Sequence, residues 1–303
     1  MSFSGKVKEE LAGQFPSGRH CLLAELAAIS ALCGAFDIDE AGEEILRIHT
    51  ENASVARKCF TLLEKTFNIG NEVSAYSSIR SNPEKGSSIY YLLAQGTGLK
   101  AVRNASVQAV CCKRAYLRGA FLASGSVSDP SKSYHFEIVC GNEEMGKYLQ
   151  HLMIGFDMEA RIVRRKKNYV VYLKDGTGIV DMLNVMEAHR ALMELENVRI
   201  LKEMRNTVNR KVNCETANIS KTVSAAVKQI EDITYIRDSI GFDKLPEGLQ
   251  DVALTRLKYP EATLKELGGL LETPVGKSGV NHRLRKLSEM AEKLRSNQGG
   301  QHD

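Results

Sequence analysis

Leu117-Arg118-Gly119-Ala120-Phe121-Leu122-Ala123-Ser124-Gly125, entered from Arg114, reads as an apolar helix that stops at a glycine. An earlier stretch, Leu26-Ala27-Ala28-Ile29-Ser30-Ala31-Leu32-Cys33-Gly34, entered from Leu22, has the same form, and the closing glycines stand 91 positions apart. The segments beyond the two glycines repeat as well. After a short polar loop, the alternating segments 44–49 and 134–139 predict strands. Amphipathic helices come next, carrying Val55, Cys59, Leu62, Leu63 and Phe67 in one half and Met145, Leu149, Leu152, Met153 and Phe156 in the other. Two further strands form a hairpin in each half, 72–79 with 89–94 and 159–163 with 169–173, the first around the longer loop 81–87. Each half closes on a matched tetrapeptide, Gly96-Thr97-Gly98-Leu99 or Gly176-Thr177-Gly178-Ile179, and a further helix. Glycine there supplies a turn and threonine an N-cap, a simpler reading than a phosphate cradle. The order helix, strand, helix, strand, strand, helix therefore occurs twice, over about 20–110 and 112–190.

The chain has 303 residues, room for two domains, and a net charge of +4, too small to argue for nucleic acid by itself. Seven cysteines, an odd number without a C-x-x-C, read as reduced and partly buried thiols, with no metal or other cofactor indicated. Residues 1–13 lack the apolar centre of a signal peptide, and no run reaches the roughly 18 apolar residues of a membrane span. The expectation is a soluble, cytoplasmic protein.

Set against the LAGLIDADG motif of homing endonucleases, 117–125 matches at Leu, Gly, Ala and the terminal Gly, and 26–34 matches more loosely. In that family two motif helices pack side by side, and an acid before each final glycine holds a catalytic metal ion. Two-metal hydrolysis needs such hard oxygen ligands. Cys33 and Ser124 stand at those places, and neither replaces a carboxylate. The nearest acids, Asp37, Asp39 and Asp129, are expected in loops beyond the glycines. The resemblance implies a retained scaffold without cleavage, whose saddle-shaped sheet follows duplex DNA. Arg161, Arg164, Arg165, Lys166 and Lys167 form a basic hairpin suited to that contact, or simply a solvated hairpin tip.

Beyond Arg199 strands disappear. A linker is placed at 201–217, a helical domain at 218–296, a helix opening at Leu245-Pro246, and a helix-turn-helix at about 262–292. Thr263 and Glu266 have capping-box spacing ahead of Leu264, Leu267 and Leu271. After Gly268, Gly269 and Pro274, a second helix starting near Lys277 buries Val280, Leu284 and Leu287. Its other face carries Lys277, Ser278, Asn281, His282, Arg283, Arg285 and Lys286, with no acid between 277 and 286. Arg and Asn read base edges bidentately, while Ser, Lys and a helix N-terminus hold phosphates. Gly276-Lys277-Ser278 mimics a nucleotide-binding loop, but Leu271 stands where its first glycine belongs and no strand precedes it. His282 has no metal-ligand neighbour at suitable spacing.

These features, with Asn209-Arg210-Lys211-Val212-Asn213-Cys214-Glu215-Thr216-Ala217-Asn218 and the ending 277–286, resemble the WhiA family of Gram-positive bacteria over essentially the whole length. The expected fold is α+β: a duplicated LAGLIDADG homing-endonuclease-like domain over 1–200, then an all-α helix-turn-helix domain. The resemblance implies a non-catalytic, nucleoid-associated regulator of transcription that acts in cell division and chromosome segregation, and in sporulation in some lineages. Double-stranded DNA is the expected partner of a monomeric chain, and another transcription or division protein is a candidate partner for the N-terminal domain. A nuclease using displaced carboxylates and an interaction scaffold with incidental DNA contacts are the alternatives.

Overall fold

Two apolar helices with glycine at their ends set the frame of the first of two units, Met1–Glu203 and Met204–Asp303. The computed structural model describes residues 1–40, 42–67, 73–82 and 87–299. The motif helices are α2 (Arg19–Cys33) and α5 (Val110–Ser124), preceded by α1 (Phe3–Ala12). Between them lie β1 (Gly34–Ile38), β2 (Glu44–Thr50), α3 (Ala53–Thr66), β3 (Ser74–Asn82), β4 (Ser87–Gln95) and the short α4 (Lys100–Arg103). After α5 come β5 (Gly125–Val127), β6 (Phe136–Cys140), α6 (Glu143–Ile154), β7 (Arg161–Arg165), β8 (Asn168–Leu173) and α7 (Gly176–Val185).

The duplication is visible in the topology. Both halves make antiparallel sheets of the same connectivity, β1-β2-β4-β3 and β5-β6-β8-β7. Asn52 caps α3 by accepting from the Ser54 and Val55 amides, and Asn142 caps α6 by accepting from Met145 N. Each sheet has one strand more than the alternation suggested. The polar loop expected after each glycine begins instead with an edge strand, β1, which is mostly exposed, or β5, which has only three residues. The helix α1 carried no such expectation either; Phe3, Val7 and Leu11 recur at four-residue steps and are buried. Residue 72 of the expected strand 72–79 and residues 83–86 of the expected loop lie outside the described residues.

The two motif helices touch backbone to backbone. A Cβ on Gly119 would stand 2.3 Å from the Glu25 carbonyl oxygen, so only glycine permits this approach. Gly34 and Gly125 end their helices for a related reason. Their φ values of −125° and −81° suit any residue, but a Cβ would meet Ser30 O at 2.7 Å or the Phe121 ring at 2.3 Å. Leu26, Ile29, Leu117, Ala120 and Phe121 are fully buried in this contact, and Phe121 stacks on Phe136 with ring centroids 5.2 Å apart. Full burial of each large side chain contributes about 1.5–3 kcal/mol.

Glu25 lies inside this interface with no exposed surface. Its carboxylate reaches Lys58 Nζ at 3.0 Å and Arg118 Nη2 at 3.2 Å, and Arg118 Nη1 reaches Glu187 at 2.8 Å. The threonine of the Gly-Thr-Gly pairs caps neither helix. Gly96 takes φ +146°, and Asp175 caps α7 by accepting from Gly178 N at 2.6 Å.

Residues 201–217, expected as a linker, belong to a continuous helix, α8 (His189–Ile240), whose residues 203–225 are exposed. Leu201, Met204, Val208 and Val212 recur there at helical steps, and no glycine or proline interrupts 189–240. The second unit packs the end of α8 against α9 (Glu247–Lys258), α10 (Leu264–Leu270) and α11 (Lys277–Gly299). Ile233, Ile236, Leu249, Val252, Leu267, Val280, Leu284, Leu287 and Ala291 form its core.

Candidate nucleic-acid interface

The first helix of the corner, α10, is opened by the capping box read in the sequence. Thr263 N donates to Glu266 Oε2 at 2.8 Å, and Glu266 N donates to Thr263 Oγ1 at 3.3 Å. The chain then returns across Gly268, where Val275 N donates to Gly268 O at 3.0 Å. A Cβ on Gly268 would lie 2.1 Å from the Val275 carbonyl oxygen. Arg256, 3 % exposed, fixes the approach to α10. Its Nη1 donates to Ala262 O at 2.7 Å and Pro260 O at 3.3 Å, and burial holds its guanidinium below the usual arginine range. Asp251 secures the other side by accepting from Glu272 N at 3.1 Å.

With Val280, Leu284, Leu287 and Ala291 turned into the core, the 3.6-residue repeat turns Ser278, His282, Arg285 and Lys286 outward. Lys277, Ser278, Asn281, His282, Arg285 and Lys286 are all exposed. Arg283 does not share this face: it is half-buried, and its guanidinium packs over Gly248 of α9. Arg285 Nε meets Glu289 at 3.2 Å, but both side chains are more than half exposed. A pair so solvated is worth about 0–1 kcal/mol and yields readily to a phosphate. The first turn of α11 contains no acid, so its amides form an anion-accepting end.

In the first unit the basic hairpin turns tightly. Arg165 pairs with Asn168, and Lys166 takes φ +55°. Arg161, Arg164, Arg165, Lys166 and Lys167 are all exposed, but two have partners: Arg165 meets Glu137 at 2.9 Å, and Arg164 lies over the Tyr169 ring. Sequence reading missed a second surface, basic and aromatic, on the sheet face away from the helices. Arg47 and His49 of β2, Tyr76 and Arg80 of β3, and Tyr91 of β4 line a groove of about 660 Å³. The signal was present in β2, where Leu46 and Ile48 are buried while Arg47 and His49 are exposed.

The helix ends do not fit a catalytic magnesium ion. Cys33 Sγ donates to Ile29 O at 3.3 Å, and burial pushes its thiol up to about 11, partly offset by the charge of Lys8. A thiol, a hydroxyl and a nearby ammonium replace the oxygen anions that magnesium requires. Asp37, expected in a loop, lies in β1 paired with Arg47. Asp39 accepts from Glu43 N, and Asp129 from Ser131.

Three family descriptions match successive parts of the chain: the WhiA N-terminal LAGLIDADG-like domain over 19–100, the WhiA LAGLIDADG-like domain over 113–205, and the WhiA C-terminal HTH domain over 208–291. A probable cell division protein WhiA of Lachnoclostridium phytofermentans is 52% identical, covering 97% of this chain and 100% of the relative. Its namesake in Alkaliphilus oremlandii is 49% identical over 97% of this chain and 98% of its own. The crystal structure of full-length DUF199/WhiA from Thermatoga maritima superposes with a TM-score of 0.64 at 25% identity, covering 97% of this chain and 99% of that one. The N-terminal LAGLIDADG domain of DUF199/WhiA superposes at 0.51 and 21% identity, covering 61% and 92%. A duplicated α/β scaffold with glycine-closed helices, followed by a capped helix-turn-helix, is thus joined to full-length sequence identity near one half, and the chain belongs to the WhiA family.

Proposed function

We propose that the chain is a non-catalytic DNA-binding regulator acting in cell division, which reads duplex DNA with the outward face of α11. The observation that carries this reading is the exposed row Ser278, Asn281, His282, Arg285 and Lys286 on α11, whose entry is held by the bond from Val275 N to Gly268 O of the capped α10. Arg285 and Asn281 supply the donors suited to guanine and adenine edges, and Lys277, Ser278 and Lys286 reach phosphates. The curated relatives bear the name probable cell division protein, which supports that setting. In this reading the protein works as a monomer at the nucleoid, controls transcription, and contributes to chromosome segregation. Among the described residues, no helix is long and apolar enough to cross a membrane.

The open sheet face with Arg47, Tyr76, Arg80 and Tyr91, and the hairpin Arg164 to Lys167, add backbone contacts to DNA or receive a transcription or division protein. Cleavage is disfavoured by the donor set at Cys33 and Ser124. A genome-wide map of bound DNA, paired with transcript levels, tests the proposal. The variant Asn281→Ala/His282→Ala/Arg285→Ala is expected to lose the discrete sites occupied by the wild type, since each lost base contact costs about 1–3 kcal/mol of discrimination. An unchanged map would overturn the assignment.

A further inference from the structure

The motif helices begin, as well as end, with matched residues. His20 and Cys21 are the second and third residues of α2, and Cys111 and Cys112 are the second and third of α5. Each pair of counterparts is separated by the 91 positions of the repeat. Packing of the two helices brings all four side chains together, with one donor atom from each within 4.8 Å of every other. His20 Nδ1 lies 3.2 Å from Cys21 Sγ and 3.1 Å from Cys112 Sγ. Cys21 and Cys112 are buried, while His20 and Cys111 close the cluster from the solvent side. The imidazole turns inward over Gly18, where a Cβ would stand only 2.8 Å from Nε2. Glycine therefore leaves the space that the ring occupies.

We propose that His20, Cys21, Cys111 and Cys112 form a structural zinc site that staples the N-terminal ends of the two motif helices. Three thiols and an imidazole are a soft donor set that suits zinc and not magnesium or calcium. A tetrahedral ion with zinc–sulfur bonds of about 2.3 Å holds its sulfurs about 3.8 Å apart, within the 4.8 Å span. The same span is too small for an iron–sulfur cluster, whose inorganic core spreads its cysteines farther. Both helices present their positive N-terminal ends to the cluster, and because burial pushes the Cys21 and Cys112 thiols up, their thiolates form as the ion displaces the protons. Four protein donors leave no open coordination position, so the ion holds structure and does no chemistry. The site lies at the opposite ends of α2 and α5 from Cys33 and Ser124, about 20 Å along the helices at 1.5 Å per residue, and is distinct from the lost nuclease centre.

The test is metal analysis of full-length protein, purified under reducing conditions, loaded with zinc and desalted, together with the absorption spectrum after cobalt substitution. One equivalent of zinc per chain is expected, with thiolate-to-cobalt charge transfer and the ligand-field bands of tetrahedral cobalt. Cys21→Ser/Cys112→Ser is expected to abolish both signals, and Cys214→Ser, at an exposed position on α8, to keep them. His20→Gln and Cys111→Ser alter exposed side chains, so the fold is retained should the buried pair prove intolerant; each is expected to lower zinc retention at least tenfold. Chelation should lower the melting temperature of the wild type and leave the surface variants unmoved. Sub-stoichiometric zinc in the wild type, or retention unchanged in His20→Gln and Cys111→Ser, would overturn the proposal.

Discussion

Replacing Glu25 with alanine is expected to destabilise the N-terminal unit by about 3–5 kcal/mol, the usual cost of removing one member of a buried ion network. The carboxylate has no exposed surface, and the two cations it neutralises are 0 % and 2 % exposed. Arg118 would keep Glu187, half open to solvent. Lys58 would keep two carbonyl acceptors, Leu11 O at 3.3 Å and Gln14 O, and the Phe15 ring, whose centroid lies 4.1 Å from Nζ. Hydrogen bonds to carbonyls orient the ammonium but do not cancel its charge. Domains are commonly stable by about 5–15 kcal/mol, so the loss removes a large share of the margin. With no tryptophan in the chain, urea unfolding followed by tyrosine fluorescence and circular dichroism reads the effect. Adding Lys58→Met to Glu25→Ala is expected to recover part of the loss, because it removes the stranded charge. A loss below about 1 kcal/mol for Glu25→Ala would mean that water reaches the site.

The second large effect is expected at the helix-turn-helix corner, where Gly268→Val should lower DNA affinity at least tenfold while leaving the N-terminal unfolding transition in place. Any side chain at 268 meets the Val275 carbonyl at 2.1 Å, and an oxygen of the backbone cannot swing aside as a flexible side chain would. Relief requires the chain between α10 and α11 to move, breaking the bond from Val275 N to Gly268 O and re-aiming α11. Overpacking typically costs about 1–3 kcal/mol, and a backbone clash belongs at the upper end. The adjacent glycine is the control. A Cβ on Gly269 meets nothing within 4 Å, so Gly269→Ala should keep affinity and raise stability by about 0.5–1 kcal/mol. Equal affinities for Gly268→Val and Gly269→Ala, measured by fluorescence anisotropy, would separate DNA binding from this corner.

Local signals made much of this molecule legible. The repeat was carried by glycines 91 positions apart and by two alternation periods, and the start of α10 by a capping box whose partners are three residues apart. What escaped depended on side chains distant in the chain or on the absence of a pattern. Glu25 sits in an apolar run and its partners Lys58 and Arg118 lie far along the chain, so nothing local announced the buried network. Cysteines 21 and 112 lack any metal-ligand spacing, because the packing of α2 on α5 brings them together. Exposed β1 and three-residue β5 offer too little alternation to read, and the row Met204, Val208, Val212, Ile219, Val223 and Val227 of α8, though at helical steps, stands in solvent rather than against a core. Arg283 looked equivalent to Arg285, and a two-residue step on a 3.6-residue helix placed it against Gly248 instead.

The central claim, that the outward face of α11 holds duplex DNA, is tested most directly by the salt dependence of affinity. Anisotropy titrations of a labelled duplex between about 50 and 200 mM salt would compare the wild type with Lys277→Ala, Arg285→Ala and Lys286→Ala, singly and combined. Each phosphate contact removed is expected to flatten the slope of log affinity against log salt by about one unit. A triple variant that keeps both the affinity and the slope of the wild type would contradict the account.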